Sequence, residues 1–148
     1  MVLAAALMVV ILAFTAFTVD LSYIALTKTQ LQAAADGAAL GAGIEMGYGF
    51  GANAVNDSTV LKEGTWAAQS VAAVHKNGDL SSTHLLAKDV KFGTLTWDET
   101  SGRWQETWGA SPYNLVEVRL KRTTSSGQGA DSSLPLLFGP IIGNATAN

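Results

Sequence analysis

Apolar residues fill the first nineteen positions of the chain, Met1 to Val19, broken only by the hydroxyls Thr15 and Thr18; Asp20 is the first charged side chain. A helix of that length is roughly 28 Å long, close to the ~30 Å hydrocarbon core of a bilayer. No glycine precedes Gly37, and no proline interrupts helix-compatible sequence as far as Ile44. One continuous helix of about 40 to 45 residues is therefore expected, and only its first half suits lipid. In the second half Leu21, Ile24, Leu31, Ala35, Ala38 and Ala42 fall on one broad face, with Asp20, Lys28, Gln32 and Asp36 around the others. Its many alanines let helix backbones approach closely, which predicts a packing surface for neighbouring helices.

The pattern breaks at Glu45 to Asn56, where Gly47, Gly49 and Gly51 alternate. This is a hinge or turn region. The glycines do not form a phosphate loop, since no strand precedes them and no Lys-Ser or Lys-Thr follows. A second helix is expected from Trp66 to about Lys76, with Thr65 as N-cap and Asn77-Gly78 as the stop. Asp89 to Trp97 has strand character, with Val90 and Phe92 on one side and Leu95 and Trp97 out of phase with them; a bulge at Gly93 would restore one apolar face. Asp98 to Gly102 supplies turn chemistry and Arg103 to Trp108 a returning strand, a predicted hairpin. From Asn114 to Thr123, Val116, Val118 and Leu120 alternate with Leu115, Glu117, Arg119 and Lys121, so one face is dry and the other wet. A polar loop over residues 123–133 leads to the apolar, twice proline-broken segment Leu134 to Gly143. That segment is too short to span a bilayer. It either folds back over the head's core or is an exposed patch for a neighbouring copy.

The fold class expected is α+β: a long hydrophobic amino-terminal helix over residues 1–45, then a small head over residues 46–148 in which one helix packs on an antiparallel sheet. About a hundred residues outside the stem are a normal single-domain size.

Charge and composition narrow the function. Outside the stem there are eight basic and nine acidic residues with no basic stripe, which argues against nucleic acid as a partner. The absence of cysteine excludes disulfides, cysteine-ligated zinc and thiol catalysis. No nucleophile elbow, phosphate loop or ligand cluster is present in the sequence, so neither an enzyme nor a cofactor-binding protein is expected. His75 and His84 have no third ligand nearby in sequence and read as surface residues rather than a metal pair. Asn56-Asp-Ser58 and Asn144-Ala-Thr146 match the N-glycosylation pattern, a tripeptide common by chance. Trp97 and Trp104 flank one turn; with Trp108 they form either cross-strand packing or, less economically, a glycan-binding platform.

A cleaved signal peptide is the rival reading of the first twenty residues, but no Lys or Arg precedes Lys28 and the apolar run continues into helix. The same lack is unusual for an anchor, whose orientation follows basic residues on the cytoplasmic side. One account is a basic leader ahead of Met1, removed on export.

Phe17-Thr-Val-Asp-Leu-Ser-Tyr23 followed by Thr27-Lys-Thr-Gln-Leu-Gln-Ala-Ala-Ala-Asp-Gly-Ala-Ala-Leu40 resembles the amino terminus of TadE/TadG-like proteins of tight-adherence (Tad) pilus systems. The resemblance covers about residues 1–45, with a weaker likeness in the Leu-Pro-Leu-Leu-Phe-Gly-Pro tail. Ala5 departs from ordinary type IV pilins, in which the fifth mature residue is usually glutamate. The resemblance implies a pilin or minor pilin, held in the inner membrane before assembly and exported by a pilus machine into an extracellular filament. Its partners would be other copies of itself, the membrane, the export machinery and a target surface of unknown identity. The expected subunit interface runs along Leu3, Leu7, Val10, Phe14, Phe17, Asp20, Leu21, Ile24, Lys28, Leu31, Ala35 and Ala38. If Asp20 is buried it needs a donor, for which Lys28 or a terminal amine of an adjacent subunit would serve; otherwise it marks the membrane surface and stays wet. The alternatives are a membrane-anchored accessory protein of pilus assembly and an anchored glycan-binding module.

Overall fold

The structure, a computed structural model, describes residues 1–123 and 132–147. Its first element, α1, runs unbroken from Val2 to Gly47 and ends in the expected glycine-rich turns. The hydroxyls inside the apolar stretch turn back on the helix: Thr15 Oγ1 donates to the Ile11 carbonyl at 2.9 Å and Thr18 Oγ1 to the Phe14 carbonyl at 2.8 Å. Neither hydroxyl then requires water.

The second helix, α2 (Asp57–Ala73), begins nine residues before the expected Trp66 and ends three before Lys76. Its cap is Asn56, whose Oδ1 accepts from the Thr59 amide at 2.8 Å. Thr65 is an interior residue, its hydroxyl bonded to the Leu61 carbonyl at 2.6 Å. The helix runs through Gly64 because that position is a contact: a Cβ there would come within 2.9 Å of the Phe92 ring. α2 buries Val60, Gly64, Ala68 and Ala72, a spacing of four that presents small residues along one face. α1 answers with Ala34, Ala38, Ala42 and Met46. Two backbones lined by small side chains pack closely, so the alanine-rich surface of the stem has a neighbour in its own chain. The face that packs is rotated from the one read from Leu21, Ile24 and Leu31: it keeps Ala38 and Ala42 but runs back through Ala34, Thr27 and Asp20.

The sheet has three antiparallel strands in the order β2 (Arg103–Trp108), β1 (Val90–Asp98), β3 (Leu115–Val118). The predicted hairpin forms, with Asp98 opposite Arg103 and the Gly102 amide donating to the Asp98 carbonyl at 2.9 Å. No bulge interrupts β1 at Gly93, which pairs with Trp108 on one side and Leu115 on the other. The change of phase instead reflects two faces. Val90 and Phe92 enter the core, while Trp97 lies on the outer face against Trp104, directly opposite, with ring centroids 5.4 Å apart at 69°. β3 is shorter than the strand expected over Asn114 to Thr123, but the dry side is as expected: Val116 and Val118, with Leu120 beyond the strand, pack against the core of Ala38, Ala42, Met46, Val60, Ala68, Leu85 and Phe92. The fold is thus α+β, with the second half of α1 an integral part of the head.

A buried arginine closes the head's far side. Arg122, 6% exposed, donates to the carbonyls of Ser132, Ser133 and Asn77, to Asn77 Oδ1, and to Asp79 Oδ1 at 2.6 Å. Gly78, at φ +58°, donates its amide to Gln30 Oε1 at 2.7 Å, tying this turn to α1. The polar loop expected over residues 123–133 falls, for residues 124–131, outside the described residues.

Candidate functional site

Between Val2 and Val19, α1 is a bare apolar rod. Its most apolar eighteen-residue window is entirely unburied, and among the described residues it is the helix long and apolar enough to cross a membrane. Five of the predicted interface residues lie on this rod and are all exposed: Leu3, Leu7, Val10, Phe14 and Phe17. Beyond it Leu21 and Lys28 are exposed, Ile24, Leu31 and Ala35 are half-buried, and Ala38 is fully buried in the head's own core.

Asp20 sits where the rod meets the folded part of the chain. It is 7% exposed, and within the chain its donors are backbone amides. The Leu137 amide donates to Oδ1 at 2.9 Å, and the Phe138 amide reaches Oδ1 at 3.2 Å and Oδ2 at 3.1 Å. A carboxylate holding two adjacent backbone N–H groups satisfies its own need for donors and two orphan amides together. The residues missed by sequence reasoning are these two, 117 and 118 positions away.

The apolar carboxy-terminal segment therefore does fold back, onto the stem rather than over the head's core. Leu134–Pro135 (β4) pairs with Thr146–Ala147 (β5), and the residues between form a loop held at its neck by this two-residue ladder and by Asp20. Leu137, Phe138 and Ile141 remain exposed, at 65%, 40% and 80%. Phe138, Gly139 and Ile141 form one wall of a cleft of about 510 Å³; the other wall is α1 from Val9 to Asp20.

The other candidates place differently. Trp97, Trp104 and Trp108 share the outer face of the sheet and are exposed at 52%, 62% and 39%, with the first two packed on each other. His75 is half-buried where α2 ends against α1, and His84 is exposed. No group of three or more metal-ligating side chains occurs among the described residues. Asp79 and Asp98 have carboxyls held below their ordinary range. Burial pushes Asp79 up, but the Arg122 hydrogen bond, its own backbone amide and the guanidinium charge outweigh this and hold it low. Asp98 is lowered by hydrogen bonds from the Ser101 hydroxyl, the Thr100 and Ser101 amides and Gln105, which fasten the hairpin turn.

Fold and site together define a class: a small α+β head built on the second half of one helix whose first half is free, apolar and of membrane-crossing length. Residues 1–54 match the family model described as putative Flp pilus-assembly TadE/G-like. The match extends the resemblance through the glycine turns to Asn53 and Ala54. No curated protein and no solved structure matches the chain.

Proposed function

We propose that this protein is a structural subunit of a Flp-type pilus. Its apolar rod rests in the membrane before assembly and lies among the matching helices of other subunits afterwards. The observation that carries the reading is the rod itself. None of eighteen consecutive apolar residues is buried within the chain, so they need an apolar environment, and lipid or a bundle of like helices both supply one. Exchange between them changes the surroundings of the helix little, so assembly from a membrane pool needs no unfolding of the head. The TadE/G-like match of residues 1–54 supplies the setting, pilus assembly.

A second reading, a membrane-anchored accessory of pilus assembly, is favoured by Asp20. Its carboxylate accepts the Leu137 and Phe138 amides within the chain, so it has donors without a neighbouring subunit.

Because the chain lacks cysteine, single cysteines report contacts without background. With Phe14→Cys or Leu7→Cys in cells carrying the pilus machinery, the subunit reading predicts disulfide-linked dimers in material sheared from the surface. Dimers or monomers confined to membranes, with none in the sheared fraction, favour the accessory.

A further inference from the structure

We infer that the loop Leu136–Gly143 is a second membrane-contacting element, which enters the leaflet adjoining the head beside α1 and has lipid acyl chains as the occupant of the cleft between them. This rests on the reading that residues 2–19 of α1 lie in a bilayer.

A backbone amide that faces hydrocarbon without a partner is costly, so the bonding of the loop's amides bears on where it can lie. Amides of this loop, and that of Asn144 just after it, are bonded within the chain. Leu136 donates to the Ala145 carbonyl at 2.9 Å, Leu137 and Phe138 to Asp20, Ile141 to the Phe138 carbonyl at 3.0 Å, and Asn144 to the Gly139 carbonyl at 2.9 Å. Pro140 has no N–H to satisfy. Its side chains have the opposite character. Leu137 and Ile141 project outward, 65% and 80% exposed, although a loop facing water would ordinarily be polar. No charged residue occurs from Ser132 to the last residue, Asn148.

Position selects lipid as the occupant. The cleft wall on α1 extends from Asp20 to Val9, eleven residues or roughly 16 Å along the axis, about one leaflet of hydrocarbon. Its lining is continuous with the bare surface of the rod, so whatever solvates Leu12 and Ala16 also meets Phe138 and Ile141. Asp20 is the clasp. It stands at the head end of the rod and accepts the amides of Leu137 and Phe138 near the start of the loop.

The test uses the full chain with single nitroxide labels at Ile141→Cys, Val10→Cys and Ser101→Cys, reconstituted in phosphatidylcholine bilayers. Power saturation measures access to molecular oxygen and to a water-soluble nickel chelate. Ile141 is exposed, so the label displaces no packing. The expected result is that Ile141 matches Val10, open to oxygen and closed to nickel, while Ser101 shows the reverse. Nickel access at Ile141 with Val10 still dry overturns the loop assignment and leaves the membrane reading intact. Nickel access at Val10 overturns the membrane reading, and the loop assignment with it. Shielding of Ile141 from both reagents marks a protein partner, such as a second copy, and overturns lipid as the occupant. Asp20→Ala should restore nickel access at Ile141 and leave Val10 unchanged; a label that stays dry shows that Asp20 is not the clasp.

Discussion

Replacing Asp20 by alanine removes the acceptor for two amides without touching the core of the head. Each hydrogen bond to a charged acceptor contributes roughly 1.5–3 kcal/mol, and Asp20 serves two separate donors. The lower end applies, because alanine also relieves the desolvation of a carboxylate that is only 7% exposed. The loop then loses about 3 kcal/mol of docking free energy. At about 1.4 kcal/mol per factor of ten, this multiplies its open population about a hundredfold. Amide hydrogen exchange in lipid nanodiscs reads this directly, because local opening exposes the Leu137 and Phe138 amides while the rest of the fold stays closed. Protection at those two amides should fall about a hundredfold, and protection at Gly109 and Asn114, bonded within the head, should not change. Asp20→Asn, which keeps one carbonyl oxygen but not the charge, should fall between. Unaltered protection at Leu137 and Phe138 in Asp20→Ala would refute the clasp. So would equal loss at Gly109 and Asn114, which would make Asp20 a determinant of the whole fold.

Three further outcomes follow from the head. Arg122→Met leaves Asn77, Asp79 and the Ser132 and Ser133 carbonyls without their shared donor; removing one member of a buried ion pair costs roughly 3–5 kcal/mol, and the lower end applies because the Asp79 side chain is 38% exposed. A fall of only a degree or two in thermal midpoint would contradict it. The Asp79 carboxyl has a folded pKa below its unfolded value, so its contribution is complete above the unfolded value near 3.9 and is lost as pH falls through the lower folded value. Acid unfolding followed by circular dichroism should therefore be shallower below about pH 4 in Asp79→Asn than in the parent, with parallel curves between pH 5 and 7. Gly64→Val drives a branched side chain into the Phe92 ring, an overpacking cost of roughly 1–3 kcal/mol that denaturant titration should show; an unchanged midpoint would mean that α2 and the sheet are further apart than described.

The stem was legible in the sequence because an uninterrupted apolar run has one physical solution at that length, and the hairpin because Asp98 to Gly102 supplies its own turn chemistry. The start of α2 was not. Gly64 looks like a helix breaker until Phe92, 28 positions later, is seen to need the space its missing side chain leaves. Leu95 and Trp97 suggest a bulge at Gly93 because a strand with aromatics on both faces defeats a rule that allows one dry face. Asp20 reads from the sequence as either paired or wet, and no local pattern identifies backbone amides 117 residues away as its partners. The tail was noticed for its apolarity. Its destination on the stem is a tertiary fact.

The measurement closest to the central claim is cryo-electron microscopy of filaments sheared from cells that produce this protein, with mass spectrometry of the same fraction. The account predicts filaments that contain this chain, their centre a bundle of apolar helices formed by residues 2–19 and each Asp20 still bound to its own Leu137 and Phe138. Recovery of the chain only from membranes, with sheared filaments free of it, would contradict the subunit reading and leave the anchored accessory in its place.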